Sequence, residues 1–269
     1  MHLWHAAFLG IVEGVTEFLP VSSTGHLILA AQLLRLHGEA VKTFEVVIQA
    51  GALAAVLGLY RAQIASMWSG LMGRDARGRQ LLTALSTSFI PAAVAGLFLR
   101  KVIKARLFSS WPVVWALAIG GVAMILSDRW LKGRVQHSEK TLQTITVMEA
   151  VVIGCAQCLA LWPGTSRSMV TILAGLALGW PATVAAEYSF LLALPTLGAA
   201  TLLDLLTGGR TLVQQIGWSS IMCGYVTAGI VAAIAIRSFI RYLTGRGLAP
   251  FGWYRLGLAG VIGVASVFR

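Results

Sequence analysis

Gly10-Ile-Val-Glu13-Gly-Val-Thr-Glu17-Phe-Leu-Pro20-Val-Ser22-Ser23-Thr24-Gly25-His26 is a stretch apolar enough to enter a bilayer that cannot cross it as one helix. Proline removes an amide donor, and Ser and Gly favour turns, so the helix is predicted to break near Leu19-Pro20. The pattern returns at offsets of 144 and then 143 in Gly154-Cys-Ala-Gln157, followed by Pro163-Gly-Thr-Ser166-Arg167-Ser168, with a second break near Trp162-Pro163. Glu45 and Glu187 follow the two prolines by 25 and 24 residues. Broken helices are tolerated at membrane depth only where protein buries them or they line a wet cavity. Paired interrupted segments in two halves of a chain point to a central site, often with inverted topology. The reading is an all-α polytopic membrane protein with two inverted-topology repeats, each contributing a re-entrant broken helix pair that meets its counterpart at a central site. Residues 1–269 form a single transmembrane domain, with repeat 1 at about 1–140 and repeat 2 at about 141–269.

The rest of the chain agrees. Of 269 residues, 57% are AVILMFWYC and only 12% are charged, about half the roughly 25% usual in soluble domains. Gln80–Leu99, Leu107–Ser127, Ser168–Ala186 and Thr211–Ile236 carry no Asp, Glu, Lys or Arg, and each is near or above the roughly 20 residues that span a hydrocarbon core. That excludes a soluble enzyme, a secreted disulfide scaffold and a nucleic-acid binder. The coarse map places re-entrant segments at about 3–35 and 145–167. Spans are predicted near 43–60, 80–99, 107–127, 168–182, 185–206, 214–240 and 250–268.

The net charge of +11 would suggest nucleic acid in a soluble protein, but the basic residues cluster between apolar runs. Arg61, Arg74, Arg77 and Arg79, then Arg100, Lys101, Lys104 and Arg106, then Arg129, Lys132, Arg134 and Lys140 read as loops facing headgroups. Trp111, Trp115, Trp130 and Trp253 read as interfacial anchors. Cys155-Ala-Gln-Cys158 has C-x-x-C spacing without a thioredoxin-like context or a second ligand pair, so ordinary packing is expected.

The acids carry more information, because Glu13, Glu17, Glu45, Glu149 and Glu187 lie in or beside apolar sequence, where a carboxylate costs about 2.5–3.5 kcal/mol. Glu13 and Glu17 are one helical turn apart, and two like charges there are reconciled by a divalent cation shared with substrate phosphate, or by a proton. The hydroxyls of Ser22, Ser23 and Thr24, with the amides freed around Gly25, suit an anion. His26, three residues after Ser23, is expected to serve as its base or as an acid to a leaving group. Arg167 sits at the second break, where its planar fork matches phosphate and Ser166 and Ser168 add donors. Gln157, standing where the first repeat has Glu13, assigns the acids to one repeat and the anion clamp to the other. Glu45, Gln49 and Glu187 are expected to support the breaks, Glu45 and Glu187 by accepting backbone hydrogen bonds.

Taken together, the 10–26 stretch, Cys158-Leu-Ala-Leu-Trp-Pro163-Gly-Thr-Ser-Arg167-Ser168, Lys42-Thr-Phe-Glu-Val-Val-Ile-Gln49 and Glu187-Tyr-Ser-Phe-Leu-Leu-Ala193 closely resemble the undecaprenyl-diphosphatase (bacitracin-resistance) family of bacterial membrane phosphatases. The resemblance covers essentially the whole chain. It implies hydrolysis of undecaprenyl diphosphate to undecaprenyl phosphate and inorganic phosphate, recycling the cell-wall lipid carrier, in a multi-pass protein of the bacterial cytoplasmic (inner) membrane. It also implies Mg²⁺ or Ca²⁺ as cofactor, Glu17 and Glu13 as metal-associated acids, Ser23 and His26 as nucleophile and acid/base, and Arg167 as the phosphate-binding arginine. Ser22, Thr24, Ser166 and Ser168 match the family's hydroxyl lining. Attack by Ser23 and attack by a His26-activated water both fit the motif. The expected partners are the polyprenyl diphosphate, the bilayer and a second copy in a homodimer, with no nucleic acid.

A secondary transporter or lipid translocator is the alternative, since inverted repeats with broken helices build many transporters. The clustering of Ser23, His26, Glu17 and Arg167 favours the enzyme. The other large class of lipid phosphatases needs a histidine after its Ser-Arg motif, and His2, His5, His26, His37 and His137 all precede Arg167.

Overall fold

The protein, seen as a computed structural model, is described over residues 1–107, 110–131 and 139–267. Lys132, Arg134 and His137 lie outside the described residues, as do the side chains of Arg100, Lys101, Lys104 and Arg106. Among the described residues there is no strand; the chain forms α1 (Leu3–Thr16), α2 (Ser23–Leu33), α3 (Glu39–Leu59), α4 (Arg61–Leu71), α5 (Ala76–Arg106), α6 (Ser110–Leu131), α7 (Val147–Gln157), α8 (Arg167–Ala177), α9 (Ala182–Ile216), α10 (Trp218–Leu243) and α11 (Ala249–Val267). Three-residue and four-residue 3-10 turns at Leu142–Thr144 and Cys158–Leu161 flank α7.

Among the described residues five helices are long and apolar enough to cross a membrane, at Glu39–Leu59, Ala76–Leu99, Trp111–Trp130, Ala182–Leu206 and Trp218–Leu243. α11 forms where a span is expected but does not join the five. The span expected near 168–182 is corrected: α8 stops at Ala177, the chain turns at Gly179 with φ +82°, and Pro181 caps α9. Eleven residues rise about 17 Å, short of the roughly 30 Å hydrocarbon core. The short helix α4 was not foreseen.

Local chemistry starts several elements. Asp75 accepts from the amides of Arg77 and Gly78 and opens α5. The hydroxyl of Thr146 accepts from the Glu149 amide while Glu149 reaches back to the Thr146 amide, a capping box that opens α7. Asp128 at the end of α6 accepts from the amides of Leu248 and Ala249 and opens α11.

α1 runs beside α10 in the same direction: Ser220 donates to the Met1 carbonyl, Gly10 lies against Gly224, and Gly14 lies against Ala228 and Ala232. α7 runs beside α5 in the same direction, since Gln80 donates to the Ile145 carbonyl and Ser88 to that of Ala150. α11 packs along α6. At the centre of the largest core cluster, Phe190 meets Phe18, Tyr60 and Phe239. Cys155, Cys158 and Cys223 are all free thiols.

Candidate functional site

Both expected breaks exist, and they meet. α1 gives way at Glu17 and the chain restarts as α2 at Ser23; α7 gives way through its 3-10 turn and the chain restarts as α8 at Arg167. The two restarts share an unusual backbone. Ser22 precedes α2 with φ +73° and Ser166 precedes α8 with φ +71°, strained values for a residue with a Cβ. Gly164 takes φ +92°, and a Cβ there would lie 2.9 Å from the Val113 carbonyl oxygen, so the turn requires glycine. The breaks are joined directly, because the Ser168 hydroxyl donates to the Leu19 carbonyl at 3.0 Å.

Between them lies a cavity of about 130 Å³ lined by Glu17, Ser22, Ser23 and Thr24 from the first break and Trp162, Gly164, Ser166 and Arg167 from the second, with Gln49 of α3 and Leu197 of α9 on its flanks. Drug-sized sites occupy roughly 300–1,000 Å³. This one suits a small polar head rather than a chain.

Glu17 is the hub. Its Oε2 accepts from the Ser23 hydroxyl at 2.6 Å and from the Gln49 amide at 3.3 Å, and its Oε1 faces Arg167 Nη2 at 3.4 Å. Arg167 is oriented from α9: Nη1 donates to the Ser189 carbonyl at 2.8 Å and to its hydroxyl at 3.3 Å. The Ser189 hydroxyl also accepts from Thr171. Among the described residues the Arg167 Nε is buried with no partner. Behind Glu17, Glu13 is fully buried, and among the described residues neither of its oxygens has a hydrogen-bond partner. Two orphaned oxygens one turn from a second carboxylate fit either a proton or a cation. Among the described residues no three His, Cys, Asp or Glu side chains gather into a metal site, so a cation here would use these two carboxylates and oxygens brought by its substrate.

Several expected residues stand elsewhere. His26 does not bond to Ser23: its Nδ1 meets the Ser22 carbonyl at 2.7 Å and its Nε2 the Tyr254 hydroxyl at 2.6 Å, with the two rings stacked. A carbonyl only accepts, so Nδ1 carries the proton and the Nε2 lone pair is taken by the tyrosine. The expected direct bond between His26 and Ser23 is therefore absent, and Glu17 holds that hydroxyl. Gly25 and Ser168 back the cavity wall without lining it. Gln157 is buried and its amide is unsatisfied. Glu45 and Glu187 were expected to accept backbone hydrogen bonds, and among the described residues neither accepts any. The bracing comes from Gln49, Ser168, Ser189 and Arg255 instead. Glu149, an alternative partner for Arg167, pairs with Lys140 at 2.8 Å and with the Trp180 indole at 3.0 Å.

Sequence reasoning missed Arg255, Tyr254 and Ser189. One signal pointed to the first: Arg255 is the only charge between Arg246 and Arg269, and an ionisable residue inside an apolar run is a candidate for function.

The fold and site define a multi-pass helical membrane protein with a hydroxyl-rich cavity clamped by arginine in its interior. The family model described as "Bacitracin resistance protein BacA" matches residues 6–261, and the chain belongs to that family. Its relatives include proteins named undecaprenyl-diphosphatase. That of Sorangium cellulosum is 45% identical over 97% of this chain and 86% of its own length. That of Novosphingobium aromaticivorans is 41% identical over 95% of each chain, and that of Nitrosomonas europaea 43% identical over 97% of this chain and 93% of its own.

Proposed function

We infer that this chain is a phosphatase of the bacterial inner membrane that hydrolyses undecaprenyl diphosphate to undecaprenyl phosphate and inorganic phosphate, with bacitracin resistance following from the family. The observation that carries the reading is the convergence of Ser23, Gln49 and Arg167 on the Glu17 carboxylate at the wall of one small cavity.

The diphosphate head occupies the cavity with its tail in lipid. Arg167, held by Ser189, offers its guanidinium to the terminal phosphoryl oxygens, and Ser22, Thr24 and Ser166 add hydroxyl donors. Ser23 Oγ forms a bond to the terminal phosphorus as the bridging P–O bond breaks in line, its proton passing to Glu17 and the electron pair leaving with undecaprenyl phosphate. Water then cleaves the phosphoserine, freeing inorganic phosphate and restoring Ser23. A divalent cation, Mg²⁺ or Ca²⁺, held by Glu13 and Glu17 would supply charge neutralisation of the diphosphate.

The fold is read as two inverted repeats with re-entrant arms. In support, α1 sets out alongside the start of α10 and α7 alongside the start of α5, so each broken pair begins beside a different span. The two restarts also share their positive-φ serines.

Phosphate release from undecaprenyl diphosphate by purified protein in detergent tests the reading, with Mg²⁺, with Ca²⁺ and with chelator. The expected result is cation-dependent release that Glu17→Ala and Arg167→Ala both abolish. No release from well-folded wild-type protein overturns it and favours a translocator.

A further inference from the structure

Arg255 is fully buried, and among the described residues no carboxylate pairs with it. Its donors instead reach four backbone carbonyls on three other segments. Nη1 donates to Pro20 at 3.4 Å, Nη2 to Gly164 at 2.9 Å and to Ala116 at 3.0 Å, and Nε to Leu117 at 3.3 Å. Pro20 belongs to the first break and Gly164 to the second; Ala116 and Leu117 are consecutive residues of α6. One planar group therefore ties both interruptions to the same turn of one spanning helix.

We propose that Arg255 is a positioning residue for the phosphatase reaction, holding the Ser23 and Arg167 segments in register across the cavity. The inference rests on the site assignment made above. Pro20 lies three residues before Ser23 and Gly164 three before Arg167, so a shift of either carbonyl moves the nucleophile or the clamp. Arg255 itself does not line the cavity. Its effect on the reaction passes through the two turns.

The chemistry explains why arginine stands here. A buried cation without a counter-ion is costly, and well-packed apolar side chains often serve stability as well as a buried charge. What a guanidinium adds is a rigid fork with five donors in one plane, able to serve acceptors on different segments at once. Lysine presents three donors from a single atom and cannot span Pro20, Gly164 and α6 together. The neighbouring helix makes room for the fork: a Cβ at Gly120 would lie 2.5 Å from Nη2 and 2.6 Å from Met169 Sδ. Gly120→Ala therefore crowds the guanidinium, together with Met169, while leaving Arg255 itself unchanged.

The experiment measures kcat and KM for undecaprenyl diphosphate, with thermal midpoint and monodispersity, in wild type, Arg255→Lys, Arg255→Gln and Gly120→Ala, beside Arg167→Ala. Misplacement of reacting groups by about 1 Å costs on the order of a hundredfold. The expected result is a fall of about that size in kcat for Arg255→Lys, with KM within about threefold and the protein monodisperse. Arg255→Gln falls at least as far, and Gly120→Ala shows the same split in milder form. Wild-type kcat in Arg255→Lys overturns the proposal, since charge alone would then suffice. So does a rise in KM at constant kcat, which marks an attractor for the anion. A loss confined to thermal midpoint and folded yield, with kcat per folded molecule unchanged, also overturns it. If both Arg255 variants fail to fold, Gly120→Ala decides, and wild-type kcat there overturns it. Full activity in Arg167→Ala would instead sink the site assignment.

Discussion

Glu17 accepts a hydroxyl on one oxygen and faces a guanidinium with the other, the contacts on which its proposed roles as proton acceptor and anchor of Arg167 rest. Glu17→Gln keeps the shape and removes the basicity, so kcat is expected to fall by about 10²–10⁴-fold with the fold intact. Near-normal turnover would remove Glu17 from proton transfer. Arg167→Lys keeps charge but loses the fork, and a steady-state assay should show a substantial loss of kcat/KM; wild-type values would argue against bidentate binding. These residues were legible because each break packs its chemistry into a short motif. Ser189 and Tyr254 were not, because they come from helices remote in sequence and only folding aims them; Arg255 was marked only by its isolation in an apolar run. His26 has the right spacing from Ser23 for a direct bond, yet its ring meets Tyr254, 228 residues away.

Among the elements, α1 depends on its small residues. A Cβ at Gly14 would lie 2.7 Å from the Ala228 carbonyl oxygen and 2.8 Å from the Val231 Cβ, so α1 touches α10 backbone to backbone. Gly14→Val should push α1 outward, lowering the thermal midpoint and, because Glu17 rides on the end of α1, turnover as well. Unchanged midpoint and turnover would contradict the close packing. The start of α7 is sensitive to pH instead. Burial pushes the Glu149 carboxyl up, but Lys140, the Thr146 amide and hydroxyl and the Trp180 indole outweigh it and bring its pKa down to about 2. A depressed folded pKa means that stability is present above the usual carboxylate value of 4.5 and is lost as pH falls toward about 2. Thermal midpoints measured down that range should drop more steeply in wild type than in Glu149→Gln, and parallel curves would count against the linkage. The stop at Gly179-Trp180-Pro181 was written in the sequence as glycine and proline punctuation. The surrounding charge-free run outweighed it, since apolar length alone does not mark where a helix stops.

For the whole molecule, the five spans were legible from hydropathy, while the handedness of the two halves depends on which neighbour each arm accompanies. If the halves are inverted, cysteines placed at the exposed Glu39 and Thr141 in a cysteine-free background will react with an impermeant reagent from opposite sides of sealed vesicles. Labelling from one side would refute inversion. On the proposed reading the small cavity takes the head of the lipid and leaves its tail in the bilayer. The two products therefore part company by phase: one diffuses away in the plane of the bilayer, the other dissolves in water. Clearing the site of inorganic phosphate and clearing it of lipid are then separate events, and detergent crowding should slow only the second.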